Sequence, residues 1–339
     1  MMKFSLVIPG YSIPEHIKSA FMEQPARSGM YNWVFVHKGE INAWEQIKHR
    51  AHEYDVLQVN MSPIDMHLIP EIRRVLGDNS KTKLVINNDY VCEYWSKWGL
   101  DPMKYRQIQR CGDMVFGTEK HQVSNMIDGT FNIPHPTNTH VLKRLGFDKT
   151  KAEDSVSYIF HWWNPETYLA HLTLQEVKAK FGVKKSRIMG YSPKDNAGCT
   201  DLMRQYTPSM FNEITPLYDF PDYMDIAQKT RCLYDPNACH TYVRNGVEAA
   251  ALGIPLVGSD RVFSNKLLFP DLVCDPYDKH ATMEKFNIAL NQPKKMKKIM
   301  DYAFKKVEYF NYENSKKRYM DALKKAIARG GHEWYKKQA

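Results

Sequence analysis

The chain is 339 residues long, 43% hydrophobic and 25% charged, with a formal net charge of +9. That length suits two domains of about 150 residues each, and the composition is that of an ordinary soluble globular protein. No stretch approaches the ~18 uncharged apolar residues that span a bilayer. The apolar opening, Met1–Pro14, is broken by Pro9-Gly10 and Pro14 and has no small-residue cleavage site behind it, so no signal peptide is expected. Six scattered cysteines (Cys92, Cys111, Cys199, Cys232, Cys239, Cys274) form no CxxC pair, which fits reduced thiols in a cytoplasmic compartment.

The first half alternates apolar runs with amphipathic ones. Strands are expected at Lys3–Pro9, Trp33–His37, Tyr54–Asn60, Thr82–Asn87 and Asp113–Gly117, with a helical pattern over Ile69–Leu76. After the polar stretch Gly146–Asp154 the alternation restarts. Strands are expected at Val156–Phe160, Ser186–Gly190, Thr230–Tyr234, Ile254–Gly258 and Leu272–Cys274, with helices over Glu166–Phe181 and Val243–Leu252. Such βαβ alternation predicts parallel sheets covered on both faces, with ligands at the carboxyl ends of the strands. From Pro293 the pattern is helical to the end. Between Asn291 and Ala339 fourteen Lys/Arg face five Asp/Glu, while the preceding 290 residues hold thirty-three of each sign. The whole excess of charge lies in this tail, which suits nucleic-acid phosphates or an anionic membrane surface as well as a simple solvated face.

Several chemistries are excluded by absence. No G-x-G-x-x-G follows the first strand, no Walker A loop is found, and neither a G-x-S-x-G elbow nor a D-x-D pair occurs. No metal-ligand set is found either, although a metal held mainly by diphosphate and water would leave no mark in a sequence. Metal dependence is therefore open.

The informative stretch is His240–Asp260, HTYVRNGVEAAALGIPLVGSD. Gly253 closes its helix before Pro255, and the next strand follows at once. Arg244 and Glu248 stand at i and i+4 on one helical face, where a plain ion pair is one reading. The other starts from their place just beyond a strand end. There the helix offers free N–H groups, Arg244 adds a cation for phosphate, and Glu248 offers acceptor oxygens for a vicinal diol such as a ribose.

The segment Phe220–Cys274 resembles the donor half of GT-B glycosyltransferases: the Glu, the small-residue run, Gly253, Pro255 and the following strand stand at that family's spacing. The resemblance implies an α/β chain of two Rossmann-like doubly wound domains facing a cleft, with basic C-terminal helices. Residues 1–145 would bind the acceptor, residues 155–292 the nucleotide-sugar donor, and residues 293–339 would form the helices. A UDP-sugar is the expected donor. By the same resemblance Arg244 meets the diphosphate and Glu248 the ribose, with Asn245 and Gly246 in the same first turn of the helix. His240 stands where many retaining members carry a second Glu, so it contacts the sugar or a phosphate or is structural. Gly190-Tyr191, at another strand end, reads as a nucleobase-side loop, although such residues mark any turn.

In the first half, TKLVINNDY ends a strand on Asp89, a candidate base for the attacking hydroxyl, or else a cap for the next segment. Together with YDVLQVNMSP it looks like the acceptor domain of phage DNA β-glucosyltransferases, and it also looks like the acceptor side of polysaccharide-type GT-B enzymes. Gly10, Tyr11 and Ser12, after the first strand, read as an acceptor-side loop or an ordinary β-turn. Glu119, Lys120 and His121 follow the fifth strand, where a solvated helix start explains them equally well. Two acceptors are thus implied. One is a hydroxymethylated base in DNA, with inversion weakly favoured and host cytoplasm as the setting if the chain is viral. The other is a surface polysaccharide or lipid-linked glycan. An inactive GT-B scaffold that binds nucleic acid or glycan is a third reading.

Overall fold

The computed structural model describes residues 2–9, 31–61, 66–88, 99, 101–146, 153–159, 167–189, 213–215 and 220–337. The chain divides into two compact units. One comprises Met1–Asn138, His240–Tyr242 and Tyr309–Ala339; the other comprises Thr139–Cys239 and Val243–Glu308.

In the first unit, β1 (Phe4–Ile8), β2 (Glu40–Ala43), β3 (Val56–Asn60), β4 (Lys83–Asn88), β5 (Met114–Gly117) and β6 (Phe131–Asn132) form one sheet in the order β2-β1-β3-β4-β5-β6. Every pairing is parallel. β1 (FSLVI) and β3 (VLQVN) are buried along their whole length, as central strands covered on both faces are, and their mostly apolar sequences fit that place. On one face the helix Leu68–Leu76 sets Leu68, Ile69, Ile72 and Leu76 against Leu57, Leu84 and Ile86. Each such side chain, fully buried, contributes about 1.5–3 kcal/mol. The other face is covered by the helix Tyr312–Ala328, whose Tyr319, Leu323 and Ala326 pack on Phe4, Leu6 and Phe116.

Residues 33–37, expected as a strand, form the helix Asn32–His37 instead. WVFVH is β-rich in composition, but Lys38 adopts a left-handed conformation (φ 53°) whose N–H, with that of Gly39, closes the last helical turn. The strand follows as β2, whose polar sequence EINA gives no strand signal at an exposed edge.

In the second unit, β7 (Glu153–Ile159), β8 (Lys185–Met189), β9 (Glu213–Thr215), β10 (Thr230–Asp235), β11 (Leu256–Ser259) and β12 (Val273–Cys274) form a second parallel sheet, ordered β12-β11-β10-β7-β8-β9. Val156, Ile188, Tyr234 and Val257 from four of these strands meet Phe286 of the helix Lys279–Asn291 in its core. The basic tail does not form a region of its own. Its helix Pro293–Lys306 lies in the second unit, while Tyr312–Ala328 and His332–Lys336 lie in the first. Cys111, Cys232, Cys239 and Cys274 are free thiols. Among the described residues no helix is long and apolar enough to cross a membrane.

Candidate functional site

Beyond the carboxyl end of β10 the chain enters the nine-residue helix Arg244–Leu252 through Val243, which is extended (φ −116°, ψ 133°). No side chain caps this start and the first turn carries no acid. Its N–H groups and the positive end of its dipole are therefore not quenched by the chain's own capping groups. The far end closes on Gly253 at φ 83°, a left-handed conformation that favours glycine, and Ile254 donates its N–H to Ala249 before β11 begins.

Arg244 is the first residue of this helix. Its Nε lies 2.5 Å from Glu248 Oε1, with the side chains 16% and 3% exposed respectively. The ion-pair reading of the i and i+4 spacing is thus realised. The pair does not use up the guanidinium, however: Arg244 Nη1 is buried and has no hydrogen-bond partner among the described residues. A buried, charged N–H without an acceptor is costly, and an arriving anion relieves the cost.

A polar side chain packs between the helix and the sheet. Asn265 Nδ2 donates to Asp235 Oδ2 at 2.9 Å, and both residues are fully buried. The same amide lies between two glycines. A Cβ on Gly246 would stand 2.5 Å from Asn265 Oδ1, and one on Gly258 would stand 2.7 Å from Asn265 Nδ2. Gly246 and Gly258 are glycines because this amide fills the space where their side chains would be. Ser264 Oγ donates to the carbonyl of Val243, tying the entry of the helix to the same neighbour. Arg261, just past β11, donates to the carbonyl of Ala238 at 3.0 Å and so fixes the loop that leads into the helix.

Arg244, Glu248, Asn245 and Gly246 are therefore brought together in the second unit, with Asn245 buried and Gly246 packed on Asn265. His240 belongs to the first unit, where its ring stacks on His121 at a centroid distance of 4.1 Å. Glu119 caps the short helix that carries His121 by accepting the N–H of Gln122 at 3.0 Å. At the ends of β3 and β4, Asn87 Nδ2 donates to Asn60 Oδ1 at 2.8 Å, and the phenol of Tyr105 donates to Asn88 Oδ1. Asp89, Gly10, Tyr11, Ser12, Gly190 and Tyr191 lie outside the described residues. Asp235 and Asn265 carry no signal in the sequence. Thirty positions separate them, and nothing local marks an asparagine in a short helix as a partner of a strand-end aspartate.

No protein-family model and no curated protein sequence matches the chain. Its backbone does match solved structures. Anabaena HepE in complex with UDP-glucose superposes with a TM-score of 0.68 at 12% identity, over 96% of this chain and 100% of that one. An alpha-glucosyltransferase in complex with UDP-glucose and DNA containing an abasic site gives 0.62 at 10% identity, over 95% and 99%. A UDP-forming trehalose-phosphate synthase from Burkholderia xenovorans gives 0.61 at 11% identity, over 84% and 78%. The chain has the GT-B fold. The expected pair of Rossmann-like sheets is present, and the Arg244 helix joins two adjacent strands of the second GT-B sheet.

Proposed function

We propose that this chain is a glycosyltransferase that moves a sugar from a UDP-linked donor to a hydroxyl acceptor. The observation that carries the reading is Arg244: a guanidinium aligned by Glu248, with one buried N–H unpaired, at the uncapped start of a helix beyond a strand end. That is an anion site suited to the diphosphate of a leaving nucleotide. As negative charge develops there during transfer, the guanidinium and the helix dipole stabilise it. Several GT-B neighbours are crystallised with UDP or UDP-glucose, which supports the choice of donor. Glu248 is read as both the holder of Arg244 and the ribose ligand. At 3% exposure it meets a ribose only when the donor has drawn Arg244 aside.

The acceptor proposed is a hydroxymethylated base in DNA. One neighbour is an alpha-glucosyltransferase crystallised with DNA, and the lysine-rich helix Pro293–Lys306 supplies six positive charges suited to a phosphate backbone. The expectation of inversion rests on Asp89 as a carboxylate base and on His240 standing in place of a second Glu. An alpha product from an alpha-linked UDP-glucose is retention, so that neighbour's name favours retention for a reaction of the same kind. A second reading, a lipid-linked or surface glycan, is favoured by Tyr302 and Phe304, two exposed aromatics on the same lysine-rich helix, which suit an anionic membrane surface.

The deciding experiment is a panel of nucleotide sugars read by nucleotide release, with and without hydroxymethylated duplex DNA. DNA-stimulated release from a UDP-sugar, with the anomeric configuration of the product read by NMR, supports the proposal. Release stimulated by anionic vesicles carrying a polyprenol-linked glycan, and not by DNA, selects the second reading. No release from any donor removes both.

A further inference from the structure

Away from the donor-type helix, the first unit gathers Asp78, His332 and Glu333, whose ligand-type atoms all lie within 4.8 Å of one another. We infer that these residues form a site for one divalent transition-type ion, such as Zn²⁺ or Co²⁺, held at present by an internal surrogate, the ammonium of Lys336.

The argument starts from the imidazole. His332 is buried, its side chain only 7% exposed, and its ring is oriented from behind: Nδ1 lies 2.7 Å from the carbonyl of Arg110. A carbonyl only accepts, so Nδ1 carries a proton and donates it, which leaves Nε2 as the nitrogen that can face a metal. A hydrogen bond from the outer ring nitrogen to a backbone carbonyl is the usual support behind a metal-binding histidine, because it fixes both tautomer and ring angle. The backbone beneath is fixed too. The N–H of His332 points at Asp113 Oδ1 at 3.3 Å, and Asp113 is itself anchored by Arg73 at 2.6 Å and by the N–H of Leu84 at 2.8 Å.

Nε2 faces Asp78 Oδ1 across 3.4 Å. Two ligands of a tetrahedral ion bound at about 2.1 Å stand about 3.4 Å apart, so this pair already has the spacing of adjacent ligands. The structure supplies a cation beside them: Lys336 Nζ lies 2.5 Å from Asp78 Oδ2 and 3.4 Å from Glu333 Oε1. The position between the two carboxylates is therefore one that a positive charge favours. Lys336 and Glu333 are both about half exposed, so the ammonium can swing into water while the Glu333 carboxylate turns inward. One imidazole and two carboxylates, with water completing the shell, make a nitrogen and oxygen donor set that suits Zn²⁺ or Co²⁺ better than Ca²⁺. Because Asp78 follows the helix Leu68–Leu76 while His332 and Glu333 open the last helix, a bound ion would pin that helix to its unit.

The test uses the full chain stripped with a chelator, titrated with CoCl₂ and followed by visible absorption, then competed with ZnCl₂. One equivalent is expected to bind with d–d bands of low-coordinate cobalt and to raise the melting temperature. Lys336→Met is expected to tighten binding about tenfold, since it removes a charge that competes for the same carboxylates. Asp78→Asn and His332→Gln are expected to abolish the one-equivalent phase. Asp78 is half exposed, so its variant keeps the test open if the buried His332 variant does not fold. Absence of a one-equivalent phase in the unsubstituted chain overturns the inference. So does its survival in Asp78→Asn, and so does Lys336→Met leaving the affinity unchanged or weaker.

Discussion

Arg244 Nε and Glu248 Oε1 meet at 2.5 Å on one face of a helix, and the pairing leaves Arg244 Nη1 buried without a partner among the described residues. The carboxylate thus lies against the Nε edge of the guanidinium while Nη1 is left short of an acceptor. Arg244→Lys keeps the charge but loses the fork, so donor turnover is expected to fall about 10²-fold with little change in melting temperature. Nucleotide-release kinetics beside a thermal melt check this. A similar loss of both activity and stability would place Arg244 in the scaffold alone.

Glu248→Gln tests the other partner. It keeps the shape and removes the counter-charge of a mostly buried guanidinium, at a cost of about 1–3 kcal/mol in urea unfolding. The KM for the donor is expected to rise about tenfold while kcat changes less, because Arg244 loses its alignment before the donor binds.

Gly246→Ala places a methyl where Asn265 Oδ1 now lies, and overpacking of this kind costs about 1–3 kcal/mol. Asn265→Ala removes the nearest obstruction but leaves Asp235 without that donor. The double variant is therefore expected to be more stable than the sum of the two single losses predicts. A double-mutant cycle in urea reads this coupling directly.

Burial holds His37 neutral, with its pKa lowered from 6.5 to about 3, among Phe4, Trp33 and Tyr319. The unfolded chain takes up that proton first as the pH falls. The stability owed to the neutral ring is complete above pH 6.5 and is lost progressively between 6.5 and about 3, by up to about 1.4 kcal/mol per pH unit. His171 in the other unit, lowered to about 4 by burial, acts in the same direction. Between pH 6.5 and 5, above the range where paired carboxylates such as Glu153 titrate, His37→Phe is expected to flatten the fall in melting temperature.

If DNA is the acceptor, replacing Lys294, Lys295 and Lys298 by Ser should lower the slope of log affinity against log salt by about 0.9 for each phosphate that these lysines neutralise. Fluorescence anisotropy over a salt series measures it. An unchanged slope would move the DNA-binding face elsewhere.

The sheets were legible because their central strands are buried on both faces. VLQVN and KLVIN read as strands without reference to anything distant. Trp33–His37 was not, since a helix buried on nearly every side loses the 3.6-residue alternation that distinguishes it from a strand. The spacing of Arg244 and Glu248 and the closing role of Gly253 were visible locally. The place of Gly246 was visible only as part of a helix start, because its reason is Asn265, nineteen residues on in another helix. The stacking of His240 on His121 spans an even longer gap and has no local signature.

The helix Tyr312–Ala328 supplies Tyr319, Leu323 and Ala326 to the core beneath β1 and β5, and Tyr335 beyond it accepts the N–H of Val115. A ribosome therefore releases the first sheet long before the side chains that cover it exist. Until Tyr312–Ala328 emerges, Phe4, Leu6 and Phe116 lack part of their cover. The unit that β1 begins is thus completed only after the other has been made, and a nascent chain stalled after Glu308 would be a natural client for a chaperone that shields apolar strands.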